Sequence, residues 1–150
     1  MNEVSPELRV LLSRLVGLPL VTLKIGEHSS LSLTFGPNES NSDKEAQTAC
    51  LGTWYEDWKI FDQDGKLLLA RASAVAAPNI NFGAYEDIEM FNGKVRLRLS
   101  LGHYVEFADR RMNDDIFYAF LPDHVFVGYA AKSGWRYGPS GRPWTGGKPI

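Results

Sequence analysis

Residues 85–109 read YEDIEMFNGKVRLRLSLGHYVEFAD, and this stretch decides the fold. Asn92-Gly93 is a strong hairpin signal, because a type I′ turn needs a positive φ at both of its central residues. With these two residues as the turn, Phe91 faces Lys94, and the pairing of every residue further along the hairpin follows. One face is then apolar, and it carries Ile88, Met90, Val95, Leu97 and Leu99.

The opposite face of this hairpin is predicted to carry the charge pairs Glu89–Arg96 and Asp87–Arg98. Cross-strand pairs of this kind contribute roughly 0.2–1 kcal/mol each. A three-residue loop around Gly102 brings in a third strand and places Arg98 opposite Glu106, between two carboxylates. We interpret these charges as a structural ladder rather than as a catalytic acid cluster, since exposed ladders are the common use of such residues.

The composition of the chain limits the classes of protein to which it can belong. The chain has 150 residues, of which 44% are hydrophobic and 23% charged, as in a single folded domain. The single cysteine, Cys50, excludes an internal disulfide and a cysteine-cluster zinc site. A net charge of −2 argues against nucleic acid as the main partner. No signal-like N-terminus and no long apolar run is present, so we expect a cytoplasmic protein without membrane contact.

The chain begins with a predicted helix over residues 5–16, in which Ser5 is the cap and Pro6 the first helical residue. Its apolar stripe consists of Leu8, Leu11, Leu12 and Leu15. A β-rich core over 18–131 follows, and 134–150 is predicted to be an irregular tail rich in Gly and Pro. We therefore expect an α+β domain, with the helix packed on a curved, mostly antiparallel sheet of about eight strands. The sheet is expected to be a half-barrel or to split in two.

Two strand regions carry the aromatic residues. Alternation over residues 54–61 predicts a strand that places Trp54, Trp58 and Ile60 on one face. The hairpin formed by 116–121 and 125–130 is apolar or aromatic on both faces. Such a hairpin is either central in the fold or half of an interface, which leaves a homodimer open.

The sequence motifs favour a protein without catalytic chemistry. The sequence has no phosphate-binding loop, no dinucleotide fingerprint and no nucleophile elbow. The histidines at 28, 103 and 124 lie at predicted turns without metal-ligand spacing, so we predict no metal and no cofactor. The alternative is a small-ligand site or enzyme, in which His103 and His124 converge with Asp109 or Glu106.

Three short motifs carry a resemblance: Gly17-Leu18-Pro19, Phe35-Gly36 and Trp58-Lys59-Ile60. Over roughly residues 8–130 the chain resembles an uncharacterised bacterial family of small β-rich proteins, similar in style to cytoplasmic immunity proteins of toxin systems. The resemblance implies a non-enzymatic inhibitor that covers the active site of a partner toxin.

Binding surfaces favour Trp and Tyr anchors with charged rims. Acidic groups near such anchors would suit a basic cleft of the partner. The predicted partner-binding residues are therefore Trp54, Tyr55, Glu56, Asp57, Asp62, Asp64, Asp114 and Asp115.

Overall fold

The computed structural model describes residues 4–26, 29–36, 48–70, 80–108, 115–139 and 148–149. Within these ranges the chain is mostly β, with one short helix and two antiparallel sheets. The helix α1 spans Pro6–Ser13. The strands are β1 (Leu20–Ile25), β2 (Leu31–Phe35), β3 (Ala49–Thr53), β4 (Trp58–Phe61), β5 (Leu67–Ala70), β6 (Tyr85–Phe91), β7 (Lys94–Leu99), β8 (Tyr104–Phe107), β9 (Phe117–Leu121), β10 (Val125–Ala130), β11 (Gly134–Pro139) and β12 (Lys148–Pro149).

The strands divide between a seven-stranded sheet, in the order β1-β2-β3-β9-β10-β11-β12, and a five-stranded sheet, in the order β5-β4-β8-β7-β6. The prediction of a helix on a largely antiparallel β structure is confirmed. The predicted number of about eight strands was wrong. Strand β3 lacks the alternation of apolar and polar residues that marks a half-exposed strand, and β11 and β12 lie in a segment whose Gly and Pro content predicts a loop.

The apolar faces of the two sheets meet in one core. Phe107 of the five-stranded sheet contacts Phe117 of the seven-stranded sheet, with ring centroids 5.1 Å apart. At one corner the sheets are joined, because Pro19 forms an isolated antiparallel bridge with Ala84. Each sheet therefore has an inner face in the core and an outer face turned away from it.

Helix α1 closes the core beside this corner. The Ser5 hydroxyl accepts the Leu8 N–H at 3.1 Å, as the predicted cap requires. The predicted stripe is only partly in the core, since Leu8, Leu12 and Leu15 are buried and Leu11 packs against them. The helix ends earlier than predicted, at Ser13, and a turn with Gly17 at φ 90° leads into β1.

The central hairpin forms as the Asn92-Gly93 turn predicts. All five predicted cross-strand pairs, from Phe91–Lys94 to Asp87–Arg98, are present in β6 and β7. The next turn differs from the prediction, since the loop is Ser100–Gly102 and Leu99 N–H donates to the His103 carbonyl. Pairing of β7 with β8 is therefore shifted by two residues, which keeps every side chain on its predicted face but changes its partner.

The prediction of an irregular tail over 134–150 was wrong for 134–139, which form β11, and for 148–149, which form β12; residues 140–147 and 150 lie outside the described residues. Strand β11 pairs with β10 over its full length, and Trp135 packs in the core against Tyr129 and Phe117. The Gly and Pro content predicts a loop, but burial of Trp135, which is 5% exposed, fixes this segment to the sheet.

Candidate functional site

The outer face of the seven-stranded sheet carries a row of four aromatic rings. Trp54 stacks on Tyr118 with centroids 4.4 Å apart, Tyr118 contacts Phe120 at 5.5 Å, and Phe120 contacts Phe126 at 5.5 Å. We call these four residues the Trp54 row. Tyr118 and Phe126 are 4% and 2% exposed, whereas Trp54 is 56% exposed. The row is thus a fixed apolar base with one exposed indole at its end.

The backbone of β3 positions this exposed indole. Strand β3 ends at Thr53, and the chain bends at Trp54 before it enters β4 of the other sheet. The Thr53 hydroxyl accepts the Tyr55 N–H at 3.2 Å, which fixes the bend. The predicted strand over residues 54–61 was therefore wrong at its start, and Trp54 does not share the buried face of Trp58 and Ile60.

The residue opposite Tyr118 is a glycine, which leaves room for the Tyr118 hydroxyl. Gly52 pairs with Tyr118, and a Cβ at Gly52 would lie 3.0 Å from the tyrosine hydroxyl and would collide with the Leu31 carbonyl oxygen. The hydroxyl also makes hydrogen bonds with Ser32 and Cys50. Burial is the main cause that raises the pKa of Tyr118 to about 12; Cys50 acts in the same direction, and the Ser32 hydrogen bond opposes it. Tyr118 is thus a neutral, well-anchored support for Trp54.

The other end of the row meets an ion pair. Arg136 lies over the ring of Phe126 at 5.0 Å and is paired with Asp115. Both side chains are largely buried, with 20% and 16% exposed. Gly128 makes room for this pair, since a Cβ there would lie 3.0 Å from the Asp115 carboxylate.

The predicted partner-binding residues fall into three groups. Trp54 is exposed, and Tyr55, Glu56 and Asp57 are half-buried beside it in the link to β4. Asp115 lies at the far end of the Trp54 row, in the ion pair with Arg136. Asp62 and Asp64 lie apart from both, in the turn after β4, and the eighth predicted residue, Asp114, is outside the described residues.

The turn carboxylate of Asp62 has a structural role. Its Oδ1 accepts the N–H groups of Asp64 at 2.9 Å and Lys66 at 2.8 Å. An Asx turn of this kind is a common local use of Asp. The structure therefore brings Trp54 together with its sequence neighbours and, through the ring row, with Asp115, but not with Asp62 and Asp64.

The sequence pattern did not predict the residues on which Trp54 packs or those at the far end of its row. Tyr118, Phe120, Phe126 and Arg136 were not among the predicted binding residues. The available signal was the hairpin 116–130, whose outer face is as aromatic as its inner face. In the structure β9 and β10 are central strands of the seven-stranded sheet. On their outer face Tyr118 and Phe126 are buried in the single chain, and Phe120 is half-buried.

A second outer face, that of the five-stranded sheet, carries a different cluster. Phe61 stacks on Tyr104 at 5.0 Å, and the Arg96 guanidinium lies 4.5 Å from the Tyr104 ring and 3.8 Å from the Phe91 ring. We call these residues the Arg96 row. Arg96 donates to Glu106 at 2.8 Å and lies 3.7 Å from Glu89. The residue between two carboxylates is thus Arg96 and not, as predicted, Arg98.

The predicted pair Asp87–Arg98 is opposite in register, but each side chain has another ionic partner. Asp87 accepts from Arg9 of the helix at 2.6 Å, and Arg98 donates to Glu89 at 3.0 Å. The cation that pairs with Asp87 comes from helix α1, which the pattern of the hairpin alone does not include.

The alternative site of histidines and carboxylates is not assembled in the described contacts. His103 packs edge-on against Phe82, and His124 is exposed at the end of the 3-10 turn Pro122–His124, which joins β9 and β10 of the seven-stranded sheet. Glu106 is bound to Arg96, and Asp109 lies outside the described residues. Among the described side chains, no group of three His, Cys, Asp or Glu could hold a metal ion.

No helix in the described ranges is long and apolar enough to cross a membrane. Comparisons of the chain with protein-family models, curated proteins and solved structures found no match. The resemblance to immunity proteins accordingly stays a prediction.

Proposed function

We propose that the protein is a non-enzymatic protein-binding module of the cytoplasm, and specifically an immunity-type inhibitor that covers the active site of a toxin. The observation that carries the proposal is the exposed indole of Trp54, 56% exposed, on a buried aromatic base. Trp and Tyr dominate the binding energy of interfaces when they are held rigidly and are desolvated by the partner.

The stacking on Tyr118 supports this use of Trp54. An anchor that is already in one orientation loses little conformational entropy when a partner covers it. Tyr55, Glu56 and Asp57 would form the rim of the interface. The two carboxylates would steer a basic partner surface, as charged rims do.

The first test is an affinity pull-down from the lysate of the host organism, with the tagged protein as bait and mass spectrometry as readout. The matched control is Phe91→Ala, which removes an exposed ring, 45% exposed, from the other outer face. We expect one stoichiometric partner that is retained by wild type and Phe91→Ala and lost by Trp54→Ala. The partner's enzymatic activity is then assayed with and without the protein, and full activity in the complex would contradict the inhibitor role.

A further inference from the structure

The tip of the central hairpin is a reactive dipeptide on the surface of the protein. Asn92 and Gly93 are both exposed, and their φ angles of 49° and 76° are those of a type I′ turn. Asn92 is followed by glycine, which no other asparagine of the chain is. Glycine has no side chain to shield its backbone nitrogen, so this nitrogen is the least hindered nucleophile that an asparagine can have next to it.

We propose that Asn92 is a site of spontaneous deamidation in the folded protein. The Gly93 nitrogen loses its proton and attacks Cγ of Asn92; a C–N bond forms, and the side-chain amide leaves as ammonia. Water then opens the resulting succinimide at one of its two carbonyls. Opening at one carbonyl gives aspartate, and opening at the other gives isoaspartate, in which the main chain runs through the side-chain carbon. The isoaspartate product is a substrate for carboxyl methyltransferases that recognise this linkage.

The surroundings leave both reacting groups available. Neither the Asn92 side chain nor the Gly93 N–H makes a hydrogen bond with any of the described residues. Asn81 provides the contrast within the same chain. Its Oδ1 accepts the Gly83 N–H at 3.0 Å, and the residue that follows it, Phe82, is 5% exposed. The Asn81 amide is therefore held, and its neighbouring nitrogen belongs to a buried residue.

Ring closure requires the turn to open, because the succinimide holds the backbone in a different conformation from a type I′ turn. Opening involves only the end of the hairpin, where the closing pair is Phe91–Lys94 and Phe91 is 45% exposed. Local fraying of this kind does not require global unfolding. The reaction is thus expected in the native protein, at a rate set by how often this end frays.

The isoaspartate product extends the main chain by one carbon at the point that sets the register of β6 and β7. The turn then no longer matches the twist of the two strands. Phe91, whose ring lies 3.8 Å from the Arg96 guanidinium, is the first residue affected. Formation of isoaspartate is therefore expected to destabilise the five-stranded sheet, whereas deamidation to ordinary aspartate would leave an Asp-Gly turn that keeps the register.

The test is to incubate the native protein in mildly alkaline buffer and to map its tryptic peptides by mass spectrometry over time. Cleavage after Arg71 and Lys94 gives the peptide 72–94, which contains both Asn81 and Asn92. Digestion in heavy-oxygen water marks any deamidation that occurs during the workup. Methyl transfer by an isoaspartyl methyltransferase then reports the isomer. Asn92→Gly is the control, because a Gly-Gly turn keeps the type I′ geometry without the amide.

We expect mass gain at Asn92 and none at Asn81, methyl transfer to the aged wild type and none to aged Asn92→Gly. We also expect a lower thermal midpoint for the aged protein than for fresh Asn92→Asp. If Asn92 stays intact in the folded protein but reacts in urea, the turn protects the amide and the proposal is wrong. Partner binding plays no part in these measurements, so the result is independent of the proposed function.

Discussion

On the outer face of the seven-stranded sheet, the Trp54 row ends in a ring that is 56% exposed; on the outer face of the five-stranded sheet, the Arg96 row is centred on a side chain that is only 11% exposed. In both places an aromatic ring contacts an arginine that is in an ion pair: Arg136 at the end of the Trp54 row, and Arg96 within its own row. The difference is where the exposed apolar surface lies. In the Trp54 row the rings pack on one another and leave the Trp54 indole exposed to solvent. In the Arg96 row the rings cover the Arg96 guanidinium.

This difference separates a surface that stabilises the fold from one that is available to a partner. Arg96 and Glu106 are each bound by other groups of the same chain, and Phe91 and Tyr104 cover the guanidinium. Trp54 contacts Tyr118 through one face, and the exposed part of the indole is free to be desolvated. Changes in the Arg96 row should therefore act on stability, and changes at Trp54 on binding.

The largest effect is expected for Glu106→Ala. It leaves the Arg96 guanidinium buried without its 2.8 Å partner, and Glu89, at 3.7 Å, is too far for a good hydrogen bond. Removing one partner of a buried ion pair costs about 3 kcal/mol or more of unfolding free energy. Urea unfolding measures this loss.

The matched control is the double variant Arg96→Met with Glu106→Leu, which removes both charges. Replacing a buried pair by apolar residues is often close to neutral, so the double variant should be more stable than Glu106→Ala alone. A Glu106→Ala protein as stable as wild type would show that the Arg96 row does not stabilise the fold.

The next effect is expected for Gly52→Ala, in the support of the Trp54 row. The added methyl group would collide with the Leu31 carbonyl oxygen and would lie 3.0 Å from the Tyr118 hydroxyl. Overpacking of this kind costs about 1–3 kcal/mol. Chemical unfolding gives the stability, and Trp fluorescence should report a displaced Trp54. Unchanged stability together with an unchanged spectrum would contradict the role of Gly52.

The pH dependence of stability tests the burial of Tyr118. Its pKa is raised from 10.0 to about 12 in the folded protein, so between these values the unfolded chain releases a proton that the folded chain keeps. The stabilisation is complete below pH 10.0 and is lost as the pH rises towards 12. Burial and the charge of Asp87 raise the pKa of Tyr85 as well, which adds a loss of the same sign.

The expected result is a fall in unfolding free energy above pH 10.0, roughly 2–3 kcal/mol for Tyr118 once the pH has passed the folded-state pKa. The variant Tyr118→Phe should show a shallower fall. Tyr137→Phe, at a tyrosine that is 40% exposed, should behave as wild type. Equal slopes for Tyr118→Phe and wild type would mean that Tyr118 is not protected from ionisation.

The local sequence pattern predicts the strands of the Arg96 row better than it predicts the Trp54 row. The Asn92-Gly93 turn predicts the register of β6 and β7 correctly, because a two-residue turn leaves only one pairing. The loop of the next turn has the predicted length but begins one residue earlier than Leu101, so Arg96 and not Arg98 meets Glu106. A shift by two residues keeps the faces, and face alternation alone cannot distinguish it.

The Trp54 row is less accessible to sequence reasoning. Alternation places Trp54 in line with Trp58, whereas the chain bends between them to pass from one sheet to the other. The contact of Trp54 with Tyr118 joins residues that are far apart in the sequence, through the pairing of β3 with β9. Non-local strand pairing of this kind has no local signature.

The smallest effect on stability is expected for Trp54→Ala, at about 1 kcal/mol or less, since the change removes one ring stack from an exposed side chain. Thermal melting checks this value. A large loss would mean that Trp54 is a structural residue, and the contrast between the two rows would then disappear.

The most direct test of this contrast is a calorimetric titration of the captured partner with wild type, Trp54→Ala and Phe91→Ala. We expect Trp54→Ala to weaken binding by about 2 kcal/mol or more, roughly thirtyfold in Kd, as for a central interface tryptophan. Phe91→Ala should bind like wild type. Equal affinities of wild type and folded Trp54→Ala, or a greater loss for Phe91→Ala, would contradict the assignment of the Trp54 row as the binding surface.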